Sequence, residues 1–137
     1  SKQSDSRLHL CLRSYADAPH SAEEKSRGLL KSAMGVTGIE LSLAATYTFA
    51  VKTGLISFDR MIDLMARNPR RIFGIKGGLE VGQRADLTVV DFENPYTVIP
   101  DNFLSMGKAT PFEGLELYGR VTHTLFNGKL VYKHTAQ

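Results

Sequence analysis

Apolar residues recur at helical spacing from Ile39 through Leu43 and Tyr47 to Ala50, in a segment rich in Ala and Leu. Gly54 stands where a C-terminal cap is expected, so the pattern predicts one helix here. Ser57 can cap a second helix, with Ile56 and Met61 placed for a hydrophobic staple. Its buried stripe is expected to be Phe58, Met61, Ile62 and Met65. The methionines read as core rather than as ligands, because a thioether fills irregular apolar gaps. Asn68 before Pro69 has the form of an N-cap and first residue, since proline's missing N–H goes unpaired there in any helix. That predicts a third, short helix through Phe73, closed by Gly74.

On either side the pattern differs. Leu8, Leu10 and Leu12 alternate with His9 and Cys11, the period of a short strand. Residues 13 to 37 lack sustained periodicity and read as a loop, with Ser21 and Glu24 spaced as a capping box for one helical turn. Beyond Gly77-Gly78, Leu87, Val89 and Phe92 alternate imperfectly with Thr88 and Asp91, and β-branched residues dominate, as in a strand. Residues 121–126 and 129–132 flank Asn127-Gly128, the pair best able to take positive φ twice in a type I′ turn, which predicts a hairpin. The chain is thus mixed α/β, helices first and antiparallel strands after, with a boundary near residue 76.

Composition narrows the function classes. The chain has 42% hydrophobic and 23% charged residues in 137, enough for one globular core. Seventeen Lys and Arg against fourteen Asp and Glu leave +3, scattered without a basic run or interleaved aromatics, which argues against nucleic acid. The longest uncharged stretch, 41–51, is about half of the roughly 20 residues a membrane-spanning helix needs. Cys11 is the single cysteine, so no internal disulfide, thiolate zinc cluster or paired redox motif can form, and a reducing cytoplasm fits. The polar run from Ser1 to Arg7 lacks a signal-peptide pattern, and the start at Ser1 suggests a trimmed chain or a piece of a longer one.

The segment Ala18-Pro19-His20-Ser21-Ala22-Glu23-Glu24-Lys25 closely resembles the loop after the last barrel strand of class I dihydroorotases. The resemblance continues through Gly35-Val36-Thr37-Gly38-Ile39-Glu40, Asn68-Pro69 and Ile72-Phe73-Gly74. It extends to the stretch Gly82 to Asp91 and to Thr110-Pro111-Phe112-Glu113-Gly114, covering nearly everything from Ala18 to Tyr132. The Gly-x-x-Ala-Asp-Leu strand is common to many metal-dependent amidohydrolases. The Ala-Pro-His-Ser and Thr-Pro-Phe-Glu-Gly motifs together point to dihydroorotase over hydantoinase or allantoinase.

By this resemblance the chain is the C-terminal part of a TIM-barrel amidohydrolase. Residues 1–75 would be the last strand, outer helices and active-site loop, and residues 76–137 strands and the terminal hairpin of a small β-sandwich domain. The implied reaction is reversible hydrolysis of dihydroorotate to carbamoyl aspartate in pyrimidine biosynthesis. It needs a metal, expected to be zinc, to polarise a carbonyl and supply hydroxide, and a carboxylate to shuttle a proton. The family's His-x-His pair is absent here, since His9, His20, His123 and His134 form no such spacing. The segment alone is therefore expected to be inactive.

Aligned on Ala-Pro-His, Ala16 falls where the family has its catalytic aspartate, with Asp17 one position on. A one-residue slip makes Asp17 the proton shuttle and metal ligand; the alternative is a solvated loop carboxylate. His20 matches the histidine that holds the substrate carboxylate, against the alternative of an ordinary surface imidazole. Met34 and Gly35 fall where backbone groups bind the pyrimidine ring, or else form a plain turn before the helix. Arg70-Arg71 reads as a solvated helix end, His123 as part of a sheet face, and Glu113 as part of a structural loop.

Two rival readings accompany the enzyme. Ala16 motivates a catalytically silent, dihydroorotase-like assembly partner of aspartate transcarbamoylase, and the shared superfamily strand allows a hydantoinase. A homo-oligomer is a further possible assembly. A barrel sector without its other strands is expected to expose apolar faces and a sheet edge and to associate in isolation.

Overall fold

A computed structural model describes residues 35–76 and 78–135. The expected strand at Leu8–Leu12 and the capping box at Ser21 and Glu24 lie outside the described residues.

Helix α1 (Ser42–Thr46) runs directly into a π-helical turn, Tyr47–Val51, whose wider winding appears in the Lys52 N–H reaching the Tyr47 carbonyl at 2.9 Å. Gly54, at φ +77°, ends the run and donates its N–H to Val51 O at 3.0 Å. The predicted apolar stripe is shifted: Ile39 lies in the turn before the helix and is exposed, while Leu41 and Ala44 are the buried positions.

Ser57 is an N-cap as its sequence context predicts, extended at φ −73° and ψ 158°, its Oγ accepting the Arg60 N–H at 3.2 Å. After it, α2 (Phe58–Ile62), a π-helical turn (Asp63–Arg67) and α3 (Asn68–Ile72) form one uninterrupted helical run. The expected fresh start at Asn68 is corrected here. Arg67 and Asn68 both have helical φ and ψ, and no side-chain cap marks a beginning. Pro69 supplies the physical reason: it cannot donate an N–H, and its ring would crowd the carbonyl four residues back. The π turn just before it widens the winding, with the Asn68 N–H bonded five residues back to Asp63 O. Gly74, at φ +63°, closes the run as predicted.

Met61 and Leu64 are buried on this helix, and complete burial of a methionine side chain contributes about 1.5–3 kcal/mol. Phe58, expected in the stripe, remains 46% exposed. It instead meets Phe92 edge-on at 5.4 Å between centroids, and Phe92 lies 4.4 Å from Tyr47.

The strands are β1 (Leu87–Asp91), β2 (Tyr96–Thr97), β3 (Glu116–Leu117), β4 (Arg120–Phe126) and β5 (Lys129–Lys133). They form an antiparallel sheet in the order β1-β4-β5 and a two-stranded sheet of β2 and β3. Asn127 at φ 51° and Gly128 at φ 75° give the predicted hairpin its two positive-φ residues. The register of β1 against β4 shifts between Val89 and Val90, where Thr122 Oγ1 donates to Val89 O at 3.2 Å. Gly119 is favoured by its φ of +96°, and a side chain there would also be crowded. A Cβ there would lie 3.2 Å from the Phe92 ring and 3.4 Å from the Ala44 backbone.

Two carboxylates organise turns beside the sheet. Asp86 accepts the Asn127 N–H at 2.8 Å and pairs with Arg84, while Ala85 O accepts the Gly128 N–H at 2.9 Å. Asp91 accepts the N–H groups of Glu93 and Asn94 at 2.9 and 3.1 Å, an Asx-type turn out of β1.

Contacts divide the chain into two compact units. One joins the described residues 35–43 to Thr97–Glu116, with Leu41 and Val98 buried. The other joins Ala44–Tyr96 to the strands from Leu117 onward, with Ala44, Met61, Leu64 and Leu117 buried. Residue 76 lies within this second unit. Among the described residues, no helix is long and apolar enough to cross a membrane.

Candidate functional site

The first unit contains the one predicted site residue that the structure describes. Gly35 sits at φ +94°, a conformation L side chains rarely adopt. Downstream, the Thr37 N–H donates to Ala109 O at 2.8 Å, and the Leu41 N–H to Gly38 O at 3.2 Å. Glu40 reaches across to the other segment: its carboxylate oxygens accept the Ser105 N–H at 2.6 Å and the Leu104 N–H at 3.1 Å. Burial pulls this carboxyl's pKa upward. The hydrogen bonds from Ser105 and Leu104 and the nearby Lys108 charge outweigh that pull and hold it below the ordinary glutamate value.

The opposing segment is folded by its own local bonds. Val98 exchanges backbone hydrogen bonds with Leu115 and Gly114, both at 2.9 Å. Pro100–Asn102 form a 3-10 turn that Phe103 closes through Pro100 O at 3.0 Å, and Lys108 Nζ returns to Phe103 O at 2.7 Å. Within Thr110–Gly114, Phe112 N–H donates to Thr110 Oγ1 at 3.4 Å and Leu115 N–H to Phe112 O at 3.0 Å, with Gly114 at φ +75°. Glu113 is exposed on this turn.

Asp17, His20 and Met34 lie outside the described residues. Sequence reasoning took Glu40 only as part of a motif and missed its bridging role. Its partners are backbone N–H groups 64 and 65 residues away, which carry no side-chain signature.

Zinc was expected from the resemblance, and Asp17, the ligand expected from this chain, lies outside the described residues. No group of three or more His, Cys, Asp or Glu among them could hold a metal ion. His123 lies on the sheet opposite Val89 and Lys133, its Nδ1 3.2 Å from Thr122 Oγ1, as the sheet-face reading predicts. His134 Nε2 is 3.0 Å from Arg120 Nη1; guanidinium only donates, so the lone pair of that nitrogen is occupied. Arg71 Nη2 donates to Asn68 Oδ1 at 3.2 Å at the exposed helix end. What the described residues offer at Gly35 is a backbone turn at φ +94°, followed by the Thr37 and Glu40 hydrogen bonds to the 104–109 stretch.

The chain matches the amidohydrolase family over residues 7–131. It is 42% identical to the dihydroorotase of Lactiplantibacillus plantarum over 122 residues, 88% of this chain and 28% of that protein. It is also 42% identical to the dihydroorotase of Fusobacterium nucleatum, over 84% of this chain and 27% of that protein. The chain thus spans a little over a quarter of the length of these curated relatives. Among solved structures it is similar to the L-hydantoinase of Arthrobacter aurescens, with TM-score 0.69 and 34% identity over 76% of this chain and 24% of that one. It is similar as well to the dihydropyrimidinase of Brevibacillus agri, with TM-score 0.73 and 25% identity over 85% of this chain and 26% of that one.

Proposed function

The chain belongs to the amidohydrolase family, and we propose that it is the C-terminal part of a dihydroorotase that opens dihydroorotate to carbamoyl aspartate and closes it again. The observation that carries this reading is the 42% identity to a dihydroorotase over 88% of the chain, a span that includes the Ala-Pro-His-Ser and Thr-Pro-Phe-Glu-Gly motifs. In this reading residues 1–75 are the last sector of a TIM barrel and residues 76–137 contribute strands to a small β-sandwich domain, in a cytoplasmic enzyme.

The roles follow the chemistry of a cyclic amide bearing a carboxylate. His20 donates a hydrogen bond to the substrate carboxylate, and backbone groups at Met34 and Gly35 meet the polar edge of the ring. Asp17 carries the proton between water and the ring nitrogen. Zinc is the proposed ion, and Asp17 the single ligand this chain would bring to it. The His-x-His pair absent from this sequence would come from elsewhere in a family-length protein.

A family-length protein carrying this chain is expected to turn over dihydroorotate in preference to hydantoin or dihydrouracil, and the 137-residue chain by itself to turn over none of them. Steady-state assays on the three substrates decide this. Preference for hydantoin would favour the reading suggested by the hydantoinase structures. No turnover of any substrate, together with stable binding to aspartate transcarbamoylase, would favour the assembly-partner reading that Ala16 motivates.

A further inference from the structure

We propose that Asn127 is a site of spontaneous modification, at which the Gly128 nitrogen attacks the Asn127 side-chain amide to form a succinimide, and that residues 84–86 restrain this reaction while the hairpin is folded. The chemistry does not depend on which substrate the protein acts on.

Ring closure needs a following peptide nitrogen that can lose its proton and a backbone free to bring that nitrogen onto the side-chain carbon. The four asparagines of the sequence differ in the first respect. Asn68 and Asn94 precede proline, whose nitrogen has no proton to lose, and Asn102 precedes the bulky Phe103. Asn127 precedes glycine, which has no side chain to obstruct the approach. Asn127 and Gly128 are both exposed, so water reaches the product.

The backbone there is held. Three consecutive residues before β1 grip three consecutive residues at the hairpin tip. The Arg84 guanidinium lies over the Phe126 ring, 5.6 Å from its centroid. Asp86 accepts the Asn127 N–H at 2.8 Å, and its other oxygen accepts Arg84 Nε–H at 2.6 Å. Ala85 O accepts the Gly128 N–H at 2.9 Å, so the proton that must leave is itself engaged. With both amides bonded, the Asn127-Gly128 peptide reaches the side chain only after this grip opens.

On opening, the Gly128 nitrogen bonds to Asn127 Cγ while the bond from Cγ to the side-chain nitrogen breaks. The Gly128 proton passes through solvent to that nitrogen, which leaves as ammonia. Water then opens the ring at either carbonyl, giving aspartate or isoaspartate. Isoaspartate routes the backbone through the side chain and adds a methylene to a two-residue turn. Either product puts a negative charge on the residue that Asp86 binds, where like charges repel.

The test ages a family-length protein carrying this chain in mildly alkaline buffer and follows the peptide of residues 120–133 by mass spectrometry, with isoaspartate assigned by fragmentation. It is run on the folded protein, on the same protein in guanidinium chloride, and on Asp86→Ala, Asp86→Asn and Ser57→Ala, the last weakening a helix cap without touching the turn. Asn127 is expected to convert about tenfold or more slowly in the folded protein than in denaturant. Asp86→Ala should speed conversion several-fold, Asp86→Asn less because it keeps an acceptor oxygen, and Ser57→Ala little. A folded rate equal to the denatured one would overturn the restraint, as would an acceleration by Ser57→Ala matching that of Asp86→Ala, since overall stability would then set the rate. Conversion at Asn102 as fast as at Asn127 in denaturant, or none at Asn127 in any folded sample, would overturn the site. Asp86→Asn carries the comparison if Asp86→Ala fails to fold.

Discussion

The Asp86 carboxylate accepts the Asn127 N–H at 2.8 Å and pairs with Arg84, tying the start of β1 to the tip of the β4-β5 hairpin. Its pKa lies below the ordinary aspartate value, first because of the Asn127 hydrogen bond and then because of Arg84. A group whose folded pKa is depressed stabilises the fold above its unfolded value, about 3.9, and loses that contribution as pH falls through the folded value. Amide exchange at the hairpin tip is therefore expected to accelerate on acidification below the usual aspartate range. Asp86→Asn should already exchange fast at neutral pH and change less with acid. Equal protection at all pH values in both proteins would contradict the coupling. The Asn127-Gly128 turn was legible in the sequence because its conformation is decided by two adjacent residues. The Asp86 bond was not, since it joins groups 41 residues apart. Gly35 and Glu40 divide the same way: the glycine announces its freedom locally, whereas the carboxylate's partners are distant amides.

Among the elements, the helical run that Ser57 opens shows best what periodicity can and cannot decide. Ser57→Ala should cost about 1 kcal/mol of stability, read from the denaturant midpoint, with Ser57→Asp close to the unsubstituted chain. A loss of only a few tenths would mean that packing of Met61 and Leu64 sets the start of the helix without the cap. The cap was visible because its chemistry is confined to four consecutive residues. The continuity through Pro69 was not. Proline predicts a boundary, but a helix already packed through Met61 and Leu64 can absorb it by widening one turn, and here it does so between Asp63 and Arg67. Phe58 shows the same limit, since its spacing assigns it to the buried stripe while the ring is drawn to Tyr47 and Phe92.

At the scale of the molecule, large apolar side chains remain open to solvent, among them Leu55, Ile72, Phe73, Leu79 and Val81. Surface of this kind favours association. The isolated chain is expected to self-associate with rising concentration in sedimentation velocity experiments. A sharp monomer with cooperative unfolding would show instead that the segment is self-sufficient. The bonds that complete each unit join partners far apart in the sequence. Glu40 meets Ser105 across 65 residues, and Thr48 accepts the Tyr118 N–H at 2.9 Å across 70. On a ribosome that adds roughly 5–20 residues per second, each early partner waits on the order of several seconds for its mate to emerge. During that interval the nascent helices have their apolar faces bare, and a chaperone that binds such faces would meet this chain before its own strands do.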